Sequence, residues 1–286
     1  MNDPAIRDHR IGVANGLTLH CREYLNDSSQ LPILCLPGLT RNGRDFHELA
    51  LHLSAERRVL TLDFRGRGLS DHDPDWRRYR LDVYVEDVIA VLDALQVSRV
   101  IIIGTSLGGL VGMFFGAQCP SRLAALVLND IGPELDPKGM NRIASSVGQS
   151  GAVETWEKAA AAAKEAHAAV MPDFTASDWA LFAKQIYRER EDGLIARDMD
   201  PLIGKALREE AGPPPDFWQA FKSLSSLPML TVHGELSDLL TATTVSRMQS
   251  CNTLMSTVLI PYRGHAPTLN EPTSRLAIEQ FLENLP

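Results

Sequence analysis

Gly104-Thr105-Ser106-Leu107-Gly108 sets a serine between two glycines, each two residues away, with an apolar run at 100–103 before it and an apolar, proline-free stretch at 110–117 after it. That order predicts strand, sharp turn, helix. So tight a turn crowds the backbone around the serine, and glycine at both flanking positions removes side chains that would collide. Ser106 is then expected at the head of a helix. There the amide of Leu107 and the positive end of the helix dipole stabilise the oxyanion formed when a hydroxyl attacks a carbonyl.

A serine hydroxyl at neutral pH is a poor nucleophile; it needs an imidazole to take its proton and a carboxylate to fix the imidazole tautomer. Of eight histidines, His265 follows the last predicted strand in Arg263-Gly264-His265-Ala266-Pro267, a loop that reaches over the carboxyl ends of the strands. His233 is its rival but ends the strand expected to deliver the carboxylate. His9, His20, His47, His52, His72 and His167 read as surface or loop residues. For the carboxylate, Asp238 in His233-Gly234-Glu235-Leu236-Ser237-Asp238 lies just past a strand and completes the chain order Ser, Asp, His. Asp130, in Leu128-Asn129-Asp130 at the end of a predicted strand, could anchor a crossover by accepting backbone N–H groups. Glu235 reads as a solvated loop charge. Arg41 and Arg44 read the same way, although either could hold a substrate carboxylate in a two-point bridge.

The elements that must carry these residues alternate. Residues 7–13 and 17–24 flank Ala14-Asn15-Gly16, a hairpin signal. Apolar runs at 33–36, 58–62, 100–103 and 123–128 read as strands, with helical patterns at 46–53 and 83–95 between them, which is the rhythm of a doubly wound, mostly parallel sheet. After Ile131-Gly132-Pro133 the rhythm gives way to helices and loops, including the alanine run 159–163 and the aromatics Trp156, Trp179, Phe182 and Trp218. This predicts an inserted helical cap over 133–224 and an α/β core formed by 1–132 and 225–286. Strands at 229–232 and 257–260 and helices around 245–248 and 274–282 close the core. The cap aromatics are expected to wall an apolar cleft over the serine.

Over nearly its whole length the chain resembles the α/β-hydrolase superfamily. The resemblance is carried by the elbow at 104–108, by Asp63-Phe64-Arg65-Gly66-Arg67-Gly68-Leu69-Ser70, by the Gly264-His265 loop and by the insertion after the sixth strand. It implies Ser106 as nucleophile, His265 as base, Asp238 as acid, with Asp130 as the alternative acid used by some relatives, and the amides of Leu39 and Leu107 as oxyanion hole. Two departures stand out: Pro37-Gly38-Leu39 where relatives often have His-Gly, and Ser237 where many relatives carry the acid. The serine points away from the dehalogenases and epoxide hydrolases of this fold, which attack with aspartate. It implies hydrolysis of a small carboxylic ester or lactone through an acyl-enzyme. The alternatives are C–C bond hydrolysis of a dienoic or 1,3-dicarbonyl compound and, in another class, a small-molecule receptor on a hydrolase scaffold.

Composition narrows the partners. The 286 residues are 44% hydrophobic and 22% charged with a formal net charge of -8, which disfavours nucleic acid and anionic membranes and favours a small-molecule ligand; the resemblance implies that this ligand is an acyl substrate. Met1-Asn2-Asp3-Pro4-Ala5 lacks a basic and apolar tandem, so the expected location is cytoplasmic. Cys21, Cys35, Cys119 and Cys251 are scattered and read as reduced structural thiols. No metal or organic cofactor is expected.

Overall fold

Asn15 and Gly16, both at positive φ (66° and 74°), turn β1 (Ile6–Gly12) back on β2 (Thr18–Tyr24) in antiparallel register, as the Asn-Gly pair predicts. The computed structural model describes residues 5–148, 151–209 and 216–285. Met1 to Pro4, on which the expected cytoplasmic location partly rests, lie outside the described residues. The chain continues through β3 (Ile33–Leu36), α1 (His47–Leu53), β4 (Val59–Leu62), α2 (Leu81–Ala94), β5 (Val100–Thr105), α3 (Leu107–Gln118) and β6 (Leu123–Asn129). An insertion follows with α4 (Pro137–Ser146), α5 (Trp156–His167), α6 (Ala176–Ile186), β7 (Tyr187–Glu189), β8 (Ile195–Arg197), α7 (Leu202–Glu209) and α8 (Phe217–Ser223). Last come β9 (Met229–Gly234), α9 (Ala242–Cys251), β10 (Met255–Ile260) and α10 (Pro272–Glu283).

The main sheet runs β1-β2-β4-β3-β5-β6-β9-β10. Its first two pairings are antiparallel and the rest parallel. The central strands are apolar without alternation because both faces are covered. Leu34, Leu36, Ile102 and Leu126 pack into one core with α2 and α3, while Ile33, Cys35, Ile101 and Ile103 pack into the other with α1 and α10. Cys21 and Cys35 are fully buried, and burial pushes both thiols up, away from the thiolate. No helix among the described residues is long and apolar enough to cross a membrane.

The insertion packs in two ways. Ala159, Ala163, Trp179, Phe182, Ile186 and Ile195 form a small core of their own. Ile203, Phe221 and Leu224 instead join the main core, and Phe217 meets Phe114 of α3 edge to face at 5.8 Å. The expectation of helices and loops alone also missed the β7–β8 hairpin, whose strands of 3 residues each are too short to display a period. His20, read as a surface or loop residue, is buried on β2 between Asp63 (2.9 Å) and Asp8 (2.8 Å). Burial alone would lower its proton affinity, but the two carboxylates outweigh burial and raise it.

Candidate active site

The β5–α3 elbow forms as the glycine spacing requires. Ser106 sits at φ 52° and ψ -116°, a backbone region that non-glycine residues rarely enter. A Cβ on Gly104 would lie 2.4 Å from the Gly108 carbonyl carbon, and one on Gly108 would lie 2.0 Å from the Leu36 oxygen. The turn therefore presses directly on β3. Leu107 opens α3, so its amide has no acceptor within the helix.

His265 Nε2 lies 2.9 Å from Ser106 Oγ. His265 Nδ1 lies 2.9 Å from Asp130 Oδ2. Asp130 follows β6 at φ 53°, is 0% exposed, and also accepts hydrogen bonds from the Gly234 amide (2.8 Å) and Ser237 Oγ (2.6 Å). The loop bearing His265 is held from both sides. Asn129 Nδ2 donates to the Pro267 carbonyl at 2.9 Å, and the Gly264 amide donates to the Val170 carbonyl of the insertion at 2.8 Å.

This arrangement corrects the choice of Asp238. Its carboxylate is engaged by the Arg142 guanidinium in a two-point bridge at 2.6 and 2.7 Å, and that hydrogen-bonded contact holds it below the usual carboxylate range. The neighbouring Ser237 hydroxyl donates to Asp130 rather than reaching His265. One residue further on, Asp238 has turned toward α4. His233, the rival base, is committed elsewhere, with Nε2 2.9 Å from the Leu240 carbonyl.

A cavity of about 220 Å³ opens beside Ser106 and His265, walled by Gly38, Leu39, Ile143, Met171 and Phe182. Leu39 is steadied from below: buried Arg67 donates to its carbonyl at 2.9 Å and to Tyr84 Oη at 2.8 Å. The remainder of the Asp63–Ser70 loop is equally fixed, since Arg65, fully buried, bridges Asp87 (2.6 Å) and Asp73 (2.7 Å). Of the aromatics expected above the serine, Phe182 alone reaches the cavity. Trp179 is buried in the insertion core, Trp156 lies under Lys184, and Trp218 lies under Arg247.

Arg41 and Arg44 are not solvated loop charges. Arg41 lines the cavity but is bridged by Asp45 at 2.7 and 2.6 Å, whereas Arg44 ties its loop to the insertion through Asp198 (2.7 Å) and the Gln185 carbonyl (3.0 Å). Sequence reasoning missed Arg142 and Arg197, and it read His167 as a surface or loop residue; all three line the cavity. Burial, then the guanidiniums of Arg41, Arg197 and Arg142, push His167 down to about 3, so its ring is neutral at neutral pH. No local signal marks these residues. Each is an isolated polar residue in a segment whose packing partners lie far away in sequence.

The sheet order, the serine elbow and the insertion after β6 define an α/β hydrolase. Residues 32–284 match the alpha/beta hydrolase fold family, and the chain belongs to it. Among its relatives is the 3-hydroxybutyrate-oligomer hydrolase of Cupriavidus necator, 33% identical over 267 residues, which span 91% of this chain and 90% of that one. The 2-(acetamidomethylene)succinate hydrolase of Mesorhizobium japonicum is 25% identical over 269 residues, 93% of this chain and 92% of its own. A crystal structure of an alpha/beta hydrolase from Novosphingobium aromaticivorans superposes with a TM-score of 0.92 at 43% identity, covering 99% of each chain. These kinships make the chain a hydrolase of this fold.

Proposed function

We propose that the protein hydrolyses small carboxylic esters, lactones included, through an acyl-enzyme on Ser106. The observation that carries this reading is the continuous hydrogen-bonded chain Ser106 Oγ–His265–Asp130, with 2.9 Å at each step, beside a cavity that admits a small substrate. His265 takes the serine proton as Oγ attacks the carbonyl, then passes it to the leaving alcohol; water repeats the sequence to release the acid. Asp130 keeps the Nδ1–H of His265 pointed toward itself and stabilises the imidazolium that forms. The amides of Leu39 and Leu107 receive the oxyanion, and residues 133–224 act as the cap that shapes the pocket.

The relative named as a 3-hydroxybutyrate-oligomer hydrolase supports ester chemistry, because such oligomers are joined by ester bonds. The test is labelling by a neutral alkyl fluorophosphonate together with turnover of p-nitrophenyl esters. A phosphonyl adduct on Ser106 that abolishes sustained turnover is the expected result. An adduct elsewhere, or binding of esters without multiple turnover, contradicts the reading and favours a receptor.

A further inference from the structure

The cavity beside Ser106 holds more cations than it neutralises. Arg41, Arg142 and Arg197 line it together with one carboxylate, Asp45. Arg41 is bridged by Asp45 and Arg142 by Asp238. Arg197, the last residue of β8, is different. Its Nε is buried without a hydrogen-bond partner among the described residues, and the neighbouring Asp198 is engaged by Arg44 and Arg188 instead. A second polar atom on the same wall is also unsatisfied: Nε2 of His167, at the end of α5, is buried with no partner among the described residues. Buried nitrogens are ordinarily paired, and two unpaired ones carried by residues that line one cavity point to a ligand as the missing partner. A compact anion suits both. Guanidinium offers a charged fork, a neutral imidazole with its proton on Nε2 offers an N–H, and the carboxylates nearby are already held by Arg41 and Arg142 and so repel it less.

We infer that Arg197 and His167 form a subsite for a carboxylate carried by the substrate, so that the preferred ester is a short one bearing a free carboxylate as well as the scissile bond. The inference rests on the ester-hydrolase reading of Ser106. The cavity is smaller than those that take drug-sized ligands, which limits the spacer between ester and carboxylate to a few carbons. Either side of the ester could carry the anion. A dicarboxylic hemiester places it on the acyl side, and an acylated hydroxy acid places it on the alcohol side.

Two substrate pairs separate these sources: monomethyl glutarate against its carboxamide, and 3-(butanoyloxy)butanoate against its carboxamide. In the wild-type protein, kcat/KM for the carboxylate member of at least one pair should exceed that of its amide by about ten- to a hundredfold, mainly through KM, the scale of one charge-assisted hydrogen bond. That ratio should collapse toward one in Arg197→Gln and recover in part in Arg197→Lys. Equal rates within both pairs, or a ratio unchanged by Arg197→Gln, overturns the subsite. If Arg197→Gln does not fold, competition in the wild-type protein decides: glutarate should inhibit hydrolysis of p-nitrophenyl butyrate well below the concentration at which glutaramide does, and equal inhibition counts against the subsite. Fluorophosphonate labelling of Ser106 and turnover of neutral esters without carboxylate preference would remove the subsite alone. Failure of labelling and turnover together would remove the ester-hydrolase reading, and the subsite with it.

Discussion

The carboxyl edge of the sheet and the inserted wall that faces it across the cavity are built to different tolerances. At the edge the serine, its flanking glycine and Asp130 are held closely. Gly108 lies so close to Leu36 that no side chain fits, Ser106 is held in a strained conformation, and Asp130 has three donors around a carboxylate closed to solvent. On the inserted wall, α5 is filled with alanine, its core is small, and buried nitrogens of His167 and Arg197 are left without partners among the described residues. Bond-breaking needs groups fixed in place before the substrate arrives, whereas recognition needs polar groups whose partner is the substrate.

The largest effect separates the two aspartates, Asp130 bonded to His265 and Asp238 bridged to Arg142. Asp130→Asn keeps the shape but favours the wrong imidazole tautomer, and it should lower kcat at neutral pH by about two to four orders of magnitude, the upper figure being the handicap of the equivalent change in a serine protease. Asp238→Asn, which loosens only the bridge to Arg142, should change kcat by less than about tenfold. Steady-state kinetics of the two purified variants checks the ranking; the reverse order would place the working acid on Asp238.

A smaller effect concerns stability on the inserted wall. His167 is held neutral down to about pH 3 in the fold, while in the unfolded chain it takes up a proton near pH 6.5. Between those values the unfolded state binds the extra proton, so stability rises with pH and is lost on acidification through 6.5, by at most about 1.4 kcal/mol per pH unit. Urea unfolding at pH 6.5 and pH 4.5 should show this loss in the wild-type protein and a shallower one in His167→Gln. Equal slopes would mean that the imidazole is protonated in the folded state.

The same contrast explains what could be read in advance. Strands buried on both faces give continuous apolar runs, and the elbow writes its geometry into two glycines within five residues, so sheet, Ser106 and His265 were legible. Asp130 was legible only as the second choice. Its preference over Asp238 depends on whether a loop after β9 turns one residue early, which pairing with Arg142 on α4 decides across 96 positions of sequence. His20 looked peripheral until β1 brought Asp8 against it. Arg197 was invisible because a three-residue strand in a stretch expected to be helices carries no period, and its place in the cavity comes from how the insertion folds over the sheet.

The central claim is that Ser106 carries the acyl group during turnover. Its most direct test is rapid-quench mass spectrometry of the protein mixed with excess p-nitrophenyl butyrate. The expected result is a burst of nitrophenol near one equivalent, a butyryl mass on the peptide containing Ser106, and loss of both in Ser106→Ala along with at least about three orders of magnitude in kcat. Turnover by the wild-type protein with the acyl group on another residue, or Ser106→Ala retaining its rate, would contradict it.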